Sequence, residues 1–356
     1  MQRKNTRQVT VGGIPIGGGA PIPVQSMTNT DTRDIDATVA QIMRMKDAGC
    51  DIVRMSIYDE ACAMAIGEIK RQSGMPLVAD IHFDYRLALK AIEQGIDKLR
   101  INPGNIGEPG RVRKVVSAAK ERNIPIRIGV NAGSLDKKIL DKYHGPTPQG
   151  MVESAMEHIA ILEDLNFDQI VVALKASNVR DTVESYRLMA EKRDYPLHLG
   201  VTEAGTPRAG IVKSAIGIGA LLLDGIGDTL RVSLTGDVVR EVETGIEILR
   251  SLGLRRQGME IVSCPTCGRC NIDLEQIVYE VERLVGTVEA PIKVAIMGCA
   301  VNGPGEARQA DVGIAGGKDK GVLFKRGQQV CAVPGDQLAS RLAQEILEMT
   351  GAGSKR

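Results

Sequence analysis

The first 250 residues alternate between short β-rich runs and longer stretches whose apolar positions recur every three or four residues. The runs fall at 22–27, 51–57, 77–82, 98–102, 126–131, 169–175, 197–202 and 229–234. Helical periodicity follows each of them, at 36–48, 59–72, 85–94, 108–122, 150–165, 178–192, 207–222 and 237–252, with Val39, Ile42 and Met43 as one example. Several of these stretches stop at a glycine, as at Gly49, Gly74 and Gly95. Eight strand–helix units in this length predict a (β/α)8 TIM-type barrel, which takes about 250 residues. The competing arrangement, an open doubly wound sheet, requires no particular strand number. Ahead of the first unit, 8–11, Gly12-Gly13 and 14–16 read as a hairpin capping the barrel's lower end.

From 258 onward the repeat is lost. Strands are expected at 259–263, 293–297, 312–315, 322–324 and 330–333, and helices at 273–285 and 336–349. This predicts a barrel domain over 1–252 and a small separate α+β domain over 258–350. Helix 237–252 leaves the barrel at its lower face and spans about 24 Å. The connection 253–258 stretches to about 20 Å at most, so the second domain barely reaches its own barrel mouth. A head-to-tail homodimer, each small domain covering the partner's barrel, resolves this.

Composition narrows the class. Of 356 residues, 43% are hydrophobic, enough for sizeable cores, and the net charge of +1 argues against general nucleic-acid binding. The polar start has no apolar stretch behind it, so no signal peptide is expected. No run approaches the roughly 18 apolar residues of a membrane span. A cytoplasmic protein is expected. There thiols stay reduced, and clustered cysteines mean metal or catalysis rather than disulfides.

In a TIM barrel, polar residues at the C-terminal strand ends face the active site. Here they are Gln25 and Ser26, Arg54, Asp80 and His82, Arg100 and Asn102, Arg127 and Asn131, Lys175, Thr202 and Glu203, then Arg231 and Ser233. One such arginine is ordinarily an ion-pair partner; five strand ends bearing cations are not. Burying them unpaired costs several kcal/mol each, and Asp80 and Glu203 offset only part of the charge. The arginine fork matches phosphate, so a diphosphate or phosphorylated small molecule is the expected ligand. His82, two residues from Asp80 on one strand face, belongs to this group; His144, His158 and His198 lack such company. Glu203, beside Ala204-Gly205, is the carboxyl best placed to deliver a proton.

The tail carries Cys264-Pro-Thr-Cys267-Gly-Arg-Cys270 and then Cys299-Ala-Val-Asn-Gly-Pro-Gly-Glu306. A structural zinc site wants four Cys or His ligands, and no histidine is near. Cys331 lies in an apolar strand, and Cys50 and Cys62 read as small buried hydrophobes. Three thiolates with one exchangeable ligand suit an iron–sulfur cluster. Spacing does not decide which two of Cys264, Cys267 and Cys270 bind.

Nearly the whole chain resembles the bacterial 4-hydroxy-3-methylbut-2-en-1-yl diphosphate synthases of the non-mevalonate isoprenoid pathway. The resemblance is carried by Pro23-Val-Gln-Ser-Met-Thr-Asn-Thr30, Val53-Arg-Met-Ser56, Ala79-Asp-Ile-His-Phe83, Lys98-Leu-Arg-Ile-Asn-Pro-Gly-Asn105, Arg127-Ile-Gly-Val-Asn-Ala-Gly-Ser134 and Leu199-Gly-Val-Thr-Glu-Ala-Gly205. In the tail, Ser263-Cys-Pro-Thr-Cys-Gly-Arg269 and Gly298-Cys-Ala-Val-Asn-Gly-Pro-Gly-Glu-Ala307 carry it. It implies a [4Fe-4S] cluster on Cys264, Cys267, Cys299 and Glu306, from which Cys270 departs. It also implies reductive ring opening and dehydration of 2-C-methyl-D-erythritol 2,4-cyclodiphosphate, with electrons from flavodoxin or ferredoxin. In that frame Arg54, Arg100, Arg127 and Lys175 hold the diphosphate, while Asp80, His82, Asn102 and Asn131 orient the carbon skeleton. Thr202, Arg231 and Ser233 complete the binding surface and Glu203 supplies a proton. A zinc-stabilised lyase or transferase acting on a phosphate ester or pterin, and an iron–sulfur redox sensor, are the competing functions.

Overall fold

Six parallel strands run side by side in chain order: β1′s successors in the barrel are β3 (Gln25–Met27), β4 (Ile52–Ser56), β5 (Leu77–Asp80), β6 (Lys98–Arg100), β7 (Ile126–Asn131) and β8 (Ile170–Lys175), after a hairpin of β1 (Gln8–Val11) and β2 (Ile14–Gly17). The helices between them are α1 (Ile35–Asp47), α2 (Glu60–Ser73), α3 (Tyr85–Glu93), α4 (Pro109–Glu121), α5 (Lys137–Tyr143) and α6 (Pro148–Glu163). Then come α7 (Val179–Lys192), β9 (His198–Leu199), α8 (Pro207–Leu223), β10 (Thr229–Leu230) and α9 (Val238–Ser251). This is a computed structural model. It describes residues 2–256, 258–286, 288, 290–299, 305 and 309–351, in two units, Met1–Arg255 and Arg256–Arg356.

Strands β9 and β10 pair with each other, and single bridges Val172↔Leu197 and Val24↔Leu230 tie them to β8 and β3. The ring is thereby closed, and the expected (β/α)8 barrel is present. The last two strands are two residues long where six were expected. Beyond Leu199 pairing goes on one bond at a time, Arg231 N–H to the Leu199 carbonyl at 3.0 Å and Thr202 N–H to the Ala176 carbonyl at 3.2 Å. Helix α5 was not expected, because 132–149 carries no apolar period. It is short, capped by Asp136 on the Lys138 N–H, and ends at His144 with a left-handed φ of 56°.

Side chains alternate along each strand, so register fixes what fills the barrel. Inward residues at the strand starts, Ile52, Val78 and Val171, pack against Val9, Val11 and Ile16 of the hairpin. The hairpin therefore plugs the lower end, as its sequence predicted. Above this apolar floor the inward positions turn polar, and that change places the site at the other end.

In the second unit β11 (Met259–Ser263), β12 (Ile292–Met297) and β13 (Val312–Ala315) run parallel. They continue antiparallel into β14 (Lys320–Lys325) and β15 (Gln328–Pro334). Helices α10 (Leu274–Val285) and α11 (Leu338–Thr350) cover one face, with Ile277, Val281, Leu342 and Ile346 on Val294, Ile296 and Ile314.

Candidate active site

Register places the strand-end cations on one inner surface: Arg54 lies two positions before Ser56, which pairs with Asp80, and Asp80 pairs with Arg100, which pairs with Arg127. Asp80 is the hub of the first half. It accepts from Arg100 Nη1 at 3.1 Å and from Arg54 Nη2, and His82 Nε2 lies 3.4 Å away. Burial alone would raise the Asp80 carboxyl; Arg54, His82 and Arg100 outweigh it and hold the group well below the usual carboxylate range. His82 itself is largely exposed, with Arg100 Nη1 at 3.2 Å from its ring.

The second half has its own carboxylate, one that strand-end reasoning missed. Glu241 on α9 is buried and meets Arg231 through Nε–Oε2 at 3.2 Å and Nη2–Oε1 at 3.3 Å. Glu203 was expected to share this offsetting role. It has no such bond in the structure: it sits on an exposed turn with φ of 51°.

Between these two pairs lie cations without a carboxylate. Arg127 is fully buried, and its Nε, like that of Arg54, makes no hydrogen bond to any of the described residues. Burial pushes Lys175 well below the ordinary lysine value, and Arg127 and Arg231 add to it. Burial likewise brings Arg54 down to about 10. Lys98, not singled out from sequence, faces inward two residues before Arg100. It is fully buried, and its Nζ meets Gln25 Oε1 at 3.2 Å. His198, which lacked polar company in the sequence, is also fully buried in this surface, with both ring nitrogens unbonded among the described residues and its pKa driven well down by burial, Arg127 and Lys175. Among the described residues these cations lack carboxylate partners, an arrangement that an anion of several charges would complete.

Two glycines make room for it. A Cβ on Gly129 would stand 2.8 Å from Arg100 Nε, and one on Gly200 would stand 2.7 Å from Lys175 Nζ and 2.6 Å from the Arg231 carbonyl. Asn102 fixes the first of these, donating to the Gly129 carbonyl at 3.0 Å and accepting from its N–H at 2.9 Å. Its amide thus positions Arg100 rather than standing open. Asn131, Thr202 and Ser233 are half-buried near the strand ends, and Gln25 and Ser26 lie buried below them. Ser26 Oγ donates to Glu241 at 2.9 Å.

In the second unit, parallel pairing of Ser263 with Ile296 brings Cys264 and the Gly298–Cys299 segment to one end of the sheet. The Gly298 N–H donates to Cys264 Sγ at 3.2 Å. Cys267 is exposed, and hydrogen bonds from the Arg269 backbone and side chain lower its pKa, favouring thiolate. Cys264, Cys270 and Cys299 are half-buried. Among the described residues no three Cys, His, Asp or Glu close up around a single ion. Glu306 lies outside the described residues. A cysteine-rich loop at one end of the sheet, with a backbone N–H already on one sulfur, fits an iron–sulfur cluster in donor chemistry.

Residues 6–246 match the GcpE TIM-barrel domain and 260–348 the GcpE protein C-terminal domain. The chain belongs to the GcpE family. A relative from Geobacter sulfurreducens, named 4-hydroxy-3-methylbut-2-en-1-yl diphosphate synthase (flavodoxin), is 59% identical over 344 residues, 97% of this chain and 98% of its own. One of the same name from Caldanaerobacter subterraneus is 58% identical over 347 residues, 98% of each chain. Among solved structures, a sialic acid synthetase from Leptospira borgpetersenii is similar with a TM-score of 0.50 and 12% identity, over 71% of this chain and 92% of that one. At that identity it speaks for the barrel fold alone. No helix of the described residues is long and apolar enough to cross a membrane.

Proposed function

We propose that the chain is an oxidoreductase that opens 2-C-methyl-D-erythritol 2,4-cyclodiphosphate reductively and removes water, giving 4-hydroxy-3-methylbut-2-enyl diphosphate. Its family and its near-full-length relatives of that name support the reading, in preference to a zinc lyase or a redox sensor. The observation that carries the substrate assignment is the buried, carboxylate-poor surface of Arg127, Lys175 and Lys98 between the Asp80 and Glu241 pairs.

The residues divide the work. Arg54, Arg100, Arg127 and Lys175 bind the diphosphate, and Arg231, Thr202 and Ser233 border it. Asp80 holds Arg54 and Arg100 in place, and with His82 and Asn131 it orients the carbon skeleton. Asn102 acts through Gly129. Glu203, on its exposed turn, delivers the proton that leaves with water. Cys264, Cys267, Cys299 and Glu306 would hold a [4Fe-4S] cluster, which when bound would relay the donor's two electrons singly to the substrate. Flavodoxin, which appears in the relatives' names, or ferredoxin is the donor, and the cytoplasm is the compartment.

The working unit is a head-to-tail homodimer in which each cluster unit covers the partner's barrel. One apolar surface supports an assembly: α8 exposes Ile211, Val212, Ile216 and Leu223. Anaerobically purified protein given reduced flavodoxin and the cyclic diphosphate should form the linear allylic diphosphate. Binding without turnover in iron- and sulfide-replete protein would support the sensor instead. For the dimer, mixing Arg127→Ala and Cys299→Ser protein should restore one intact site; no recovery after confirmed subunit exchange would count against it.

A further inference from the structure

Cys270 has no part in the ligand set above, yet it is placed against a member of it. Its backbone N–H closes a turn on the Cys267 carbonyl at 2.9 Å, and its Sγ donates to the Ile272 carbonyl at 3.2 Å. Gly298 provides the space. A Cβ there would lie 2.3 Å from Cys270 Sγ and 3.6 Å from Cys264 Sγ, so the two sulfurs are no more than about 6 Å apart. Residues 264–273, between β11 and α10, form neither helix nor strand, so a side-chain rotation with a small backbone shift would disturb no helix or strand ladder. Three further cysteines lie outside both the ligand set and this pair. Cys50 and Cys62 are buried in the barrel unit, and Cys331 lies on β15.

We propose that Cys264 and Cys270 form a thiol–disulfide modification site of the cluster-free protein, oxidised by small-molecule disulfides of the glutathione class. The inference rests on Cys264 being a cluster ligand. One cysteine thiolate attacks the small disulfide, making a mixed disulfide and expelling one thiolate. The second cysteine displaces the other, so the Cys264–Cys270 bond forms, two electrons pass to the small disulfide, and two protons are released with the two thiols. The pairing occupies Cys264 reversibly, keeping it from sulfinic oxidation and from premature iron, until a dithiol reductant frees it. Cys270 thus protects a ligand without being one. The ring closed is short, so its entropic stabilisation is small and reduction is easy.

The full chain, stripped of iron by a chelator and exposed to oxidised glutathione, is alkylated and digested with trypsin. Cleavage after Arg269 separates Cys270 from the peptide carrying Cys264 and Cys267. A dominant Cys264–Cys270 cross-link is expected, unchanged in Cys267→Ser and removed by dithiothreitol. Iron and sulfide reloading should be blocked by oxidation and recovered on reduction. In Cys270→Ser, Cys264 should carry glutathione instead, and that variant should load its cluster normally when never oxidised. A cross-link from Cys270 to Cys267 or Cys299, or Cys270 recovered as free thiol, would overturn the proposal. A Cys264→Ser variant that loads a full cluster would instead strike the ligand assignment, whatever the cross-link pattern.

Discussion

Arg231 and Glu241 stand on the last strand end and the last helix of the barrel, and they meet through two contacts of 3.2 and 3.3 Å. Glu241 is satisfied on every side, since Ser26 Oγ and the Leu234 N–H also donate to it, at 2.9 and 3.0 Å. Arg231 is therefore neutralised before any ligand arrives. The cations left wanting a carboxylate among the described residues are Arg127, Lys175 and Lys98, so on the proposed reading the diphosphate draws most on β6 to β8, with Arg54 at its edge.

Glu241→Gln leaves the half-buried Arg231 beside a neutral amide. Breaking a buried pair costs about 3 kcal/mol or more. Thermal unfolding should fall by several degrees, and kcat/KM should fall as Arg231 turns toward the substrate anion. An unchanged melting curve would show that the pair adds nothing to the barrel.

Gly200→Ala drives a methyl group into the Arg231 carbonyl and Lys175 Nζ, whereas a Cβ at Gly133 meets nothing within 4 Å. Steady-state kinetics should show at least a tenfold loss of kcat/KM for Gly200→Ala and little change for Gly133→Ala. Equal effects would mean that the close packing around Lys175 is not needed for turnover.

Lys98 and Lys175 are pushed well below the ordinary lysine value, first by burial and then by Arg127. Below pH about 10.4 the unfolded chain then holds more protons than the folded one. The stability of the ligand-free protein is thus reduced as pH falls through the lysine range, and His198 repeats this near pH about 6.5. A bound anion reverses the balance by favouring the charged forms. Calorimetry of substrate binding at pH 8, in two buffers of different ionisation heat, should reveal net proton uptake. Heats independent of buffer would contradict it.

Much of this was legible in the chain because the barrel repeats one pattern eight times and its strand ends announce themselves with arginine. The hairpin plug was legible too, as valine and isoleucine around Gly12-Gly13. Glu241 was hidden because it sits inside a helical apolar stripe (Val242, Ile246, Leu249), and helical periodicity marks that face as core. Lys98 and His198 were hidden differently. Each lies one inward step below the residues at the rim, where a strand interior is expected to be apolar. Gly129 and Gly200 carry no chemistry, and only the side chains pressed against them reveal their part. At the thiol end, spacing left the use of Cys270 open, and its contact with Gly298 depends on the pairing of β11 with β12, which sequence does not show.

The central claim is that the buried cations of the barrel receive the diphosphate independently of the cluster. Titration of the cyclic diphosphate into cluster-free protein measures this directly, for the unaltered chain and for Arg127→Met with its fold confirmed by circular dichroism. The unaltered chain should bind, and the variant's affinity should be about a hundredfold weaker, about 2.7 kcal/mol. Equal affinities for the two proteins would contradict it.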